Sequence, residues 1–179
     1  MDKEEPPLNL ATLAAGYPGL TPSAGETFAE AAAICLDWNQ HTNGIRLQSS
    51  GHCDKIWPLI WNPVTNQMRR TWSDLSEATE KGACGIAILV AKEQTGFSVI
   101  ERSRKGTGCD FWIGDDDAFL FQNKARLEIS GILKGDDKDV KKRANVKIKQ
   151  TYQSDATKLP AYIIVVEFSR PISYFLERR

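Results

Sequence analysis

Apolar positions along the chain change their spacing several times, and each change marks an element. Residues 1–23 include Pro6, Pro7, Pro18 and Pro22 and hold no long periodic run. They read as an extended arm with a short turn at Leu10–Ala15, either flexible or packed on a neighbour. Ser23 with Glu26 three residues later makes a capping box. The helix it opens, Ala24–Gln40, sets Phe28, Ala32, Cys35 and Leu36 on one face, and Asn43-Gly44 stops it. Ile45–Ser50 and Ile56–Trp61 alternate on either side of the turn Gly51–Asp54 and predict a hairpin. Pro58 moves its second strand towards a sheet edge. Trp57 and Trp61 share parity with Leu59. They either cover the core or stack on a base or a partner surface.

A helical pattern follows, from about Val64 or Thr71 to Gln94, with Ser73 as the cap of its main part. Ala83–Ala91 is apolar on nearly every side, so this helix is expected to be buried on several faces. Gly82 and Gly85 would each cost it about 1 kcal/mol against alanine. Close packing against strands would explain them; alternatively Gly82 ends the helix and Gly85–Val90 is a strand. The spacing then shortens to two. Phe97–Arg102, Cys109–Ile113 and Ala125–Ile132 read as three short strands separated by a Lys-Gly-Thr-Gly turn and an acidic loop. Gly135–Tyr152 is a helix, acidic at its start and basic later, with Val140, Ala144, Lys147, Ile148 and Thr151 on a narrow stripe. Ala161–Phe168 is a continuous apolar run, expected of a central strand covered on both sides. Residues 169–179 read as a tail with Pro171 and a terminal basic cluster.

Composition narrows the function classes. The 179 residues carry 23 lysines and arginines against 23 acids, a net charge of zero, so no whole-surface grip on nucleic acid is expected and only a local basic patch remains open. No window is apolar enough to span a membrane. The acidic start MDKEEPP lacks the apolar stretch of a signal peptide, which points to a cytoplasmic protein. Four cysteines without CxxC spacing read as buried thiols, and two histidines are too few for a zinc site. Neither a P-loop nor a nucleophile elbow is present; Lys105–Gly108 lacks the strand-to-helix context. Asp115-Asp116-Asp117 reads as a solvated loop.

Two carboxylates stand where strands rarely hold them: Asp110 early in the second of the three strands and Glu128 in the middle of the third. Such groups cost free energy unless paired, solvated or bound to a cation. Residues i and i+2 share a strand face, so Lys124, Arg126, Glu128 and Ser130 point the same way. If the neighbouring strand puts Asp110 opposite Glu128, the pair would suit Mg²⁺, a hard cation that takes oxygen ligands and keeps several waters. Structural roles compete: Asp110 bonding turn amides, Glu128 pairing with Arg126, Arg102 or Arg104. The run Arg102–Lys105 is either a solvated hairpin tip or a phosphate-contacting loop.

The order helix, strand, strand, strand, helix, strand from Thr71 onward resembles the restriction-endonuclease-like fold of the PD-(D/E)XK nuclease superfamily. The residues that carry the resemblance are TGFSVIER (95–102), KGTGCDFW (105–112) and LEISG (127–131). It covers residues 71–168. The chain also resembles a group of bacterial proteins sharing the runs ATExGA, ERSRKGTG and KARLEISG, a resemblance that carries no activity with it. What the superfamily implies is an α/β (α+β) fold: a mixed central sheet flanked by helices, with residues 24–70 as a helix-and-hairpin addition, a core at 71–168 and a tail at 169–179, together a single domain at 24–179. It implies Asp110, Glu128 and the helix acid Glu80, with Glu77 as its alternative, as metal ligands, and Mg²⁺ as cofactor. The superfamily lysine two residues after the glutamate is here Ser130, and a hydroxyl supplies no positive charge. Lys124 is the first candidate to replace it; Lys105, Arg126, Lys147 and Lys149 are others. Lys105, Arg126, Lys142 and Lys149 would line a nucleic-acid surface. The implied function is an atypical or degenerate nuclease module acting on or binding nucleic acid in a bacterial defence-type system. Its alternatives are an active Mg²⁺-dependent DNA endonuclease or a non-catalytic subunit that binds a protein partner or a second copy through the Trp57–Trp61 hairpin.

Overall fold

The computed structural model describes residues 5–117 and 120–179; the first four residues of the expected arm, and 118–119 of the acidic loop, lie outside the described residues. Eight strands form one mixed sheet: β1 (Leu8–Asn9), β2 (Ile45–Gly51), β3 (Lys55–Ile60), β4 (Ser98–Arg102), β5 (Phe111–Gly114), β6 (Ala125–Ile132), β7 (Ala161–Glu167) and β8 (Ile172–Arg178). Among the described residues four α-helices accompany them: α1 (Pro22–Trp38), α2 (Asn66–Thr71), α3 (Leu75–Thr95) and α4 (Asp137–Thr151). The sheet order is β1-β3-β2-β8-β7-β6-β5-β4. Strands β4, β5 and β6 form an antiparallel meander. The chain then crosses through α4 and returns as β7, parallel to β6.

Two segments differ from the sequence-based expectation. The arm forms its expected turn as a 3-10 helix at Leu10–Ala15 but is otherwise packed rather than simply extended: Leu8, Leu10, Leu13 and Leu20 are buried in the main core, and β1 pairs with the far end of β3. The Gly19 N–H also donates to the Val99 carbonyl on edge strand β4. The tail is a strand in mid-sheet: β8 runs antiparallel to β7 on one side and parallel to β2 on the other, so it joins the hairpin to the meander. Its residues Ile172–Arg178 mix apolar and charged types without clean alternation, and its polar Ser173 is fully buried. Pattern alone could not mark it as central.

The helices follow their local signals with small shifts. Thr21 caps α1 and Asp74 caps α3, in place of the neighbouring serines. Residues 64–95 split into two helices at Trp72–Asp74, and Gly85–Val90 is helical. The glycines of α3 are explained by a helix, not by strands. A Cβ on Gly82 would come within 2.8 Å of the Ala32 backbone, and one on Gly85 within 3.0 Å of the Phe28 carbonyl oxygen, so α1 and α3 pack nearly backbone to backbone. Trp57 and Trp61 are both buried in the core, so the hairpin offers no aromatic docking surface. No helix among the described residues is long and apolar enough to cross a membrane.

Candidate functional site

The site lies where the meander meets α4. The β5–β6 register pairs Phe111 with Leu127 and Trp112 with Arg126, and one step further sets Asp110 opposite Glu128. Asp110 itself falls just before β5. Its backbone N–H donates to the Leu127 carbonyl, and its Oδ2 accepts the Ile129 N–H at 2.7 Å, so backbone and side chain both bond β6. This fixes the carboxylate against β6, as a strand amide holds it rather than the turn amides.

Along β6 the residues of one face, Leu127 and Ile129, enter the main core beneath α3. The other face carries three polar residues, Arg126, Glu128 and Ser130, all buried. Each meets a group of α4. Arg126 Nη1 donates to the Thr151 carbonyl at 2.8 Å. Lys147 Nζ donates to Glu128 Oε1 at 2.6 Å. Arg143 Nη1 donates to Ser130 Oγ at 2.9 Å. Steps of two on the strand thus match steps of four on the helix. Two strand residues rise about 6.6 Å and four helical residues about 6.0 Å. The two elements run in opposite senses, so a single antiparallel registration satisfies all three pairs. Apolar contact under α4 is confined to Val140, Ala144 and Val165, with Ile132, Tyr174 and Leu176 at its margin.

Glu128 is 4% exposed. Burial pushes its carboxyl up to about 7, the adjacent Asp110 charge pushes the same way, and Lys147 opposes both. A neighbouring negative charge in a partly dry site disfavours the ionised form of Glu128. Above them opens a groove of about 450 Å³ lined by Arg102, Arg104, Lys105, Asp110, Glu128 and Gln150 among others. Its rim is the β4–β5 turn, where Gly106 and Gly108 have φ of 90° and 68°. A Cβ on Gly108 would fall 1.8 Å from the Gln150 carbonyl oxygen, so only glycine lets the turn rest on the end of α4.

The expected site residues separate into three sets. Asp110 and Glu128 converge, and Lys105 lines the groove beside them. Lys124 is exposed before β6, with its stem beside Gly114, and does not line the groove; Lys142 and Lys149 are exposed on α4. Arg126 is 2% exposed and spends its donors inside the protein, so it offers no surface to nucleic acid and does not pair with Glu128. Glu80 stays exposed on α3, and among the described residues no three His, Cys, Asp or Glu side chains gather as a metal cluster. Ser130 is occupied by Arg143, a residue without a place in the expected site. The signal for Lys147 was its position on the α4 stripe, a cation where an apolar residue is expected.

Burial pushes the Cys35 and Cys84 thiols up to about 12 and raises that of Cys109, away from the reactive thiolate. His41 bonds the Phe168 carbonyl, and His52 Nδ1 accepts the Glu177 N–H. Asp116 of the acidic loop binds Lys92 and Ser98, which holds its carboxyl below the ordinary range.

Fold and site together define an α+β protein with a mixed sheet and a carboxylate pair, Glu128 buried and Asp110 half-buried, at the foot of a basic-rimmed groove. No protein-family model, no curated protein and no solved structure matches the chain.

Proposed function

We propose that the chain is a metal-dependent nuclease with a restriction-endonuclease-like core formed by α3, β4, β5, β6, α4 and β7. In this proposal Asp110 and Glu128 hold Mg²⁺, and the lysine missing at position 130 is supplied from α4 as Lys147. One observation carries it: Asp110 lies opposite Glu128, and the Lys147 ammonium is 2.6 Å from the Glu128 carboxylate. The donor set fits the ion. Asp110 Oδ2 accepts the Ile129 amide and Glu128 Oε1 accepts from Lys147, and the two carboxyl groups lie close enough to share a proton, which a cation between them would replace. Mg²⁺ is commonly held by one or two carboxylates with waters completing its shell, so two suffice.

The ion would supply Lewis acidity and lower the pKa of a water aimed at phosphorus. The chain's own groups do the rest. Arg102, Arg104 and Lys105 line the groove and would hold the phosphodiester backbone by charge-assisted bonds. Lys147 orients the Glu128 carboxylate and keeps a positive charge close to where negative charge grows on the phosphoryl oxygens. Losing such a charge costs about 3 kcal/mol of transition-state stabilisation, roughly a hundredfold in rate.

The test is a thermal-shift titration with Mg²⁺ and Mn²⁺, followed by cleavage of DNA and of RNA. The parent should be stabilised by metal, Asp110→Ala and Glu128→Ala should lose that stabilisation, and both, with Lys147→Met, should lose cleavage. A parent that ignores both metals, or that retains nucleic acid without cutting it, overturns the enzyme. The second outcome would favour a binding module in which Lys147 has replaced the metal as the partner of Glu128, an arrangement that the short Lys147–Glu128 contact also suits.

A further inference from the structure

We infer that Arg126, two residues before Glu128, is a positioning residue: it clamps the C-terminal end of α4 and so sets where Lys147 stands over the carboxylate pair. This rests on the proposed nuclease only for the use made of Lys147; the clamp itself is geometry. Arg126 Nε and Nη2 donate to the Leu159 carbonyl at 3.0 and 2.7 Å. Its Nη1 reaches the Thr151 carbonyl, Ser154 Oγ and Asp155 Oδ1 at 2.8, 3.0 and 3.0 Å. Thr151 is the last residue of α4, whose final carbonyls have no partner within the helix. A buried cation there satisfies one of them and complements the negative end of the helix dipole.

Lys147 lies one turn before Thr151, on the same stripe. The helix is therefore pinned within one turn of the lysine that has to reach Glu128. Arg178 of β8 reinforces the clamp from outside: its Nε donates to Thr151 Oγ1, and its guanidinium pairs with Asp155. Gly108 closes the third side, since the β4–β5 turn rests on the Gln150 carbonyl. Burying an arginine is costly unless its donors are satisfied. An apolar side chain would fill this space at lower cost if filling were all that was needed. The planar fork holds two chain segments at once, which a lysine ammonium on a flexible stem does not reproduce.

The test reads Lys147 directly. Limiting amine acylation followed by peptide mass spectrometry gives the labelling rate of each lysine of α4. In the parent, Lys147, paired and largely covered, should label more slowly than exposed Lys141, Lys142 and Lys149. In Arg126→Lys, Lys147 should label as fast as Lys149 while circular dichroism shows the same folded content. Asp155→Ala weakens the clamp from its half-exposed side and should fold even if Arg126→Lys does not; it should shift Lys147 in the same direction by less. Glu128→Gln provides the reference for an unpaired Lys147. A folded clamp variant in which Lys147 labels at the parent rate overturns the positioning role, whatever the metal titration shows. Faster Lys147 labelling in a protein that ignores Mg²⁺ would keep the clamp and reject the nuclease.

Discussion

The two faces of β6 are built on opposite principles. Towards α3 it presents Leu127, Ile129 and Gly131, and the fit is steric. Leu127 is fully buried, and a Cβ on Gly131 would come within 2.5 Å of the Thr79 carbonyl oxygen. Towards α4 it presents Arg126, Glu128 and Ser130, and the fit is a ladder of three polar pairs. Apolar packing tolerates small displacements because it has little direction. A hydrogen bond weakens steeply when misaligned, and a buried partner left unpaired pays its full desolvation cost. The first face makes the fold stable; the second fixes one register of a helix against a strand, as a site holding a lysine over two carboxylates requires.

The two faces of this strand should therefore respond differently to truncation. Leu127→Ala removes side-chain atoms from the steric face and should cost about 2–5 kcal/mol by denaturant unfolding at any pH near neutrality. Lys147→Met strands the Glu128 charge on the polar face. It should cost about 2 kcal/mol at pH 8, and little near pH 4, where the carboxyl is protonated folded or unfolded. A loss as large at pH 4 as at pH 8 would mean that Lys147 acts through packing.

Glu128→Gln should change the sign. The folded carboxyl sits at about 7 against an ordinary 4.5, so between those values the native state holds a proton that the unfolded chain has released. Stability of the parent then falls as pH rises from about 4.5 to about 7 and levels off above, a loss on the order of 3 kcal/mol from this group. The glutamine variant should lack that slope and be more stable than the parent at pH 8, provided metal is absent. A parent curve that is flat, or that rises through this window, would show the Glu128–Lys147 pair outweighing burial. The smallest effect belongs to a pair on neither face: Asp37→Ala, which breaks the exposed bridge to Arg69, should change stability by under about 1 kcal/mol.

The contrast also marks how far the chain could be read without its structure. The main helices, the hairpin, the three meander strands and β7 follow from period, caps and turns because those signals are local. Asp110 and Glu128 stood out as acids in strand positions, and their convergence needed only a register of two adjacent strands. In the N-terminal arm the short turn at Leu10–Ala15 is legible and forms a 3-10 helix, but the burial of Leu10 and Leu13 is not, because its leucines lie among prolines without a period. The last strand was misread because its pairing partners, β7 and β2, come from opposite ends of the chain.

Strand parity determined that Arg126, Glu128 and Ser130 share a face, and helical spacing determined that Lys147 and Thr151 share a stripe. Which cation answers which carboxylate was decided only when α4 docked. Lys124 and Arg126 are nearer to Glu128 in sequence, yet one is exposed before the strand and the other is committed to Thr151 and Leu159. The physical reason is that parity sets direction along one element, whereas the opposing group depends on the translation of a second element. That translation is fixed by long-range contacts at Arg126, Arg178 and Gly108, which no local pattern encodes.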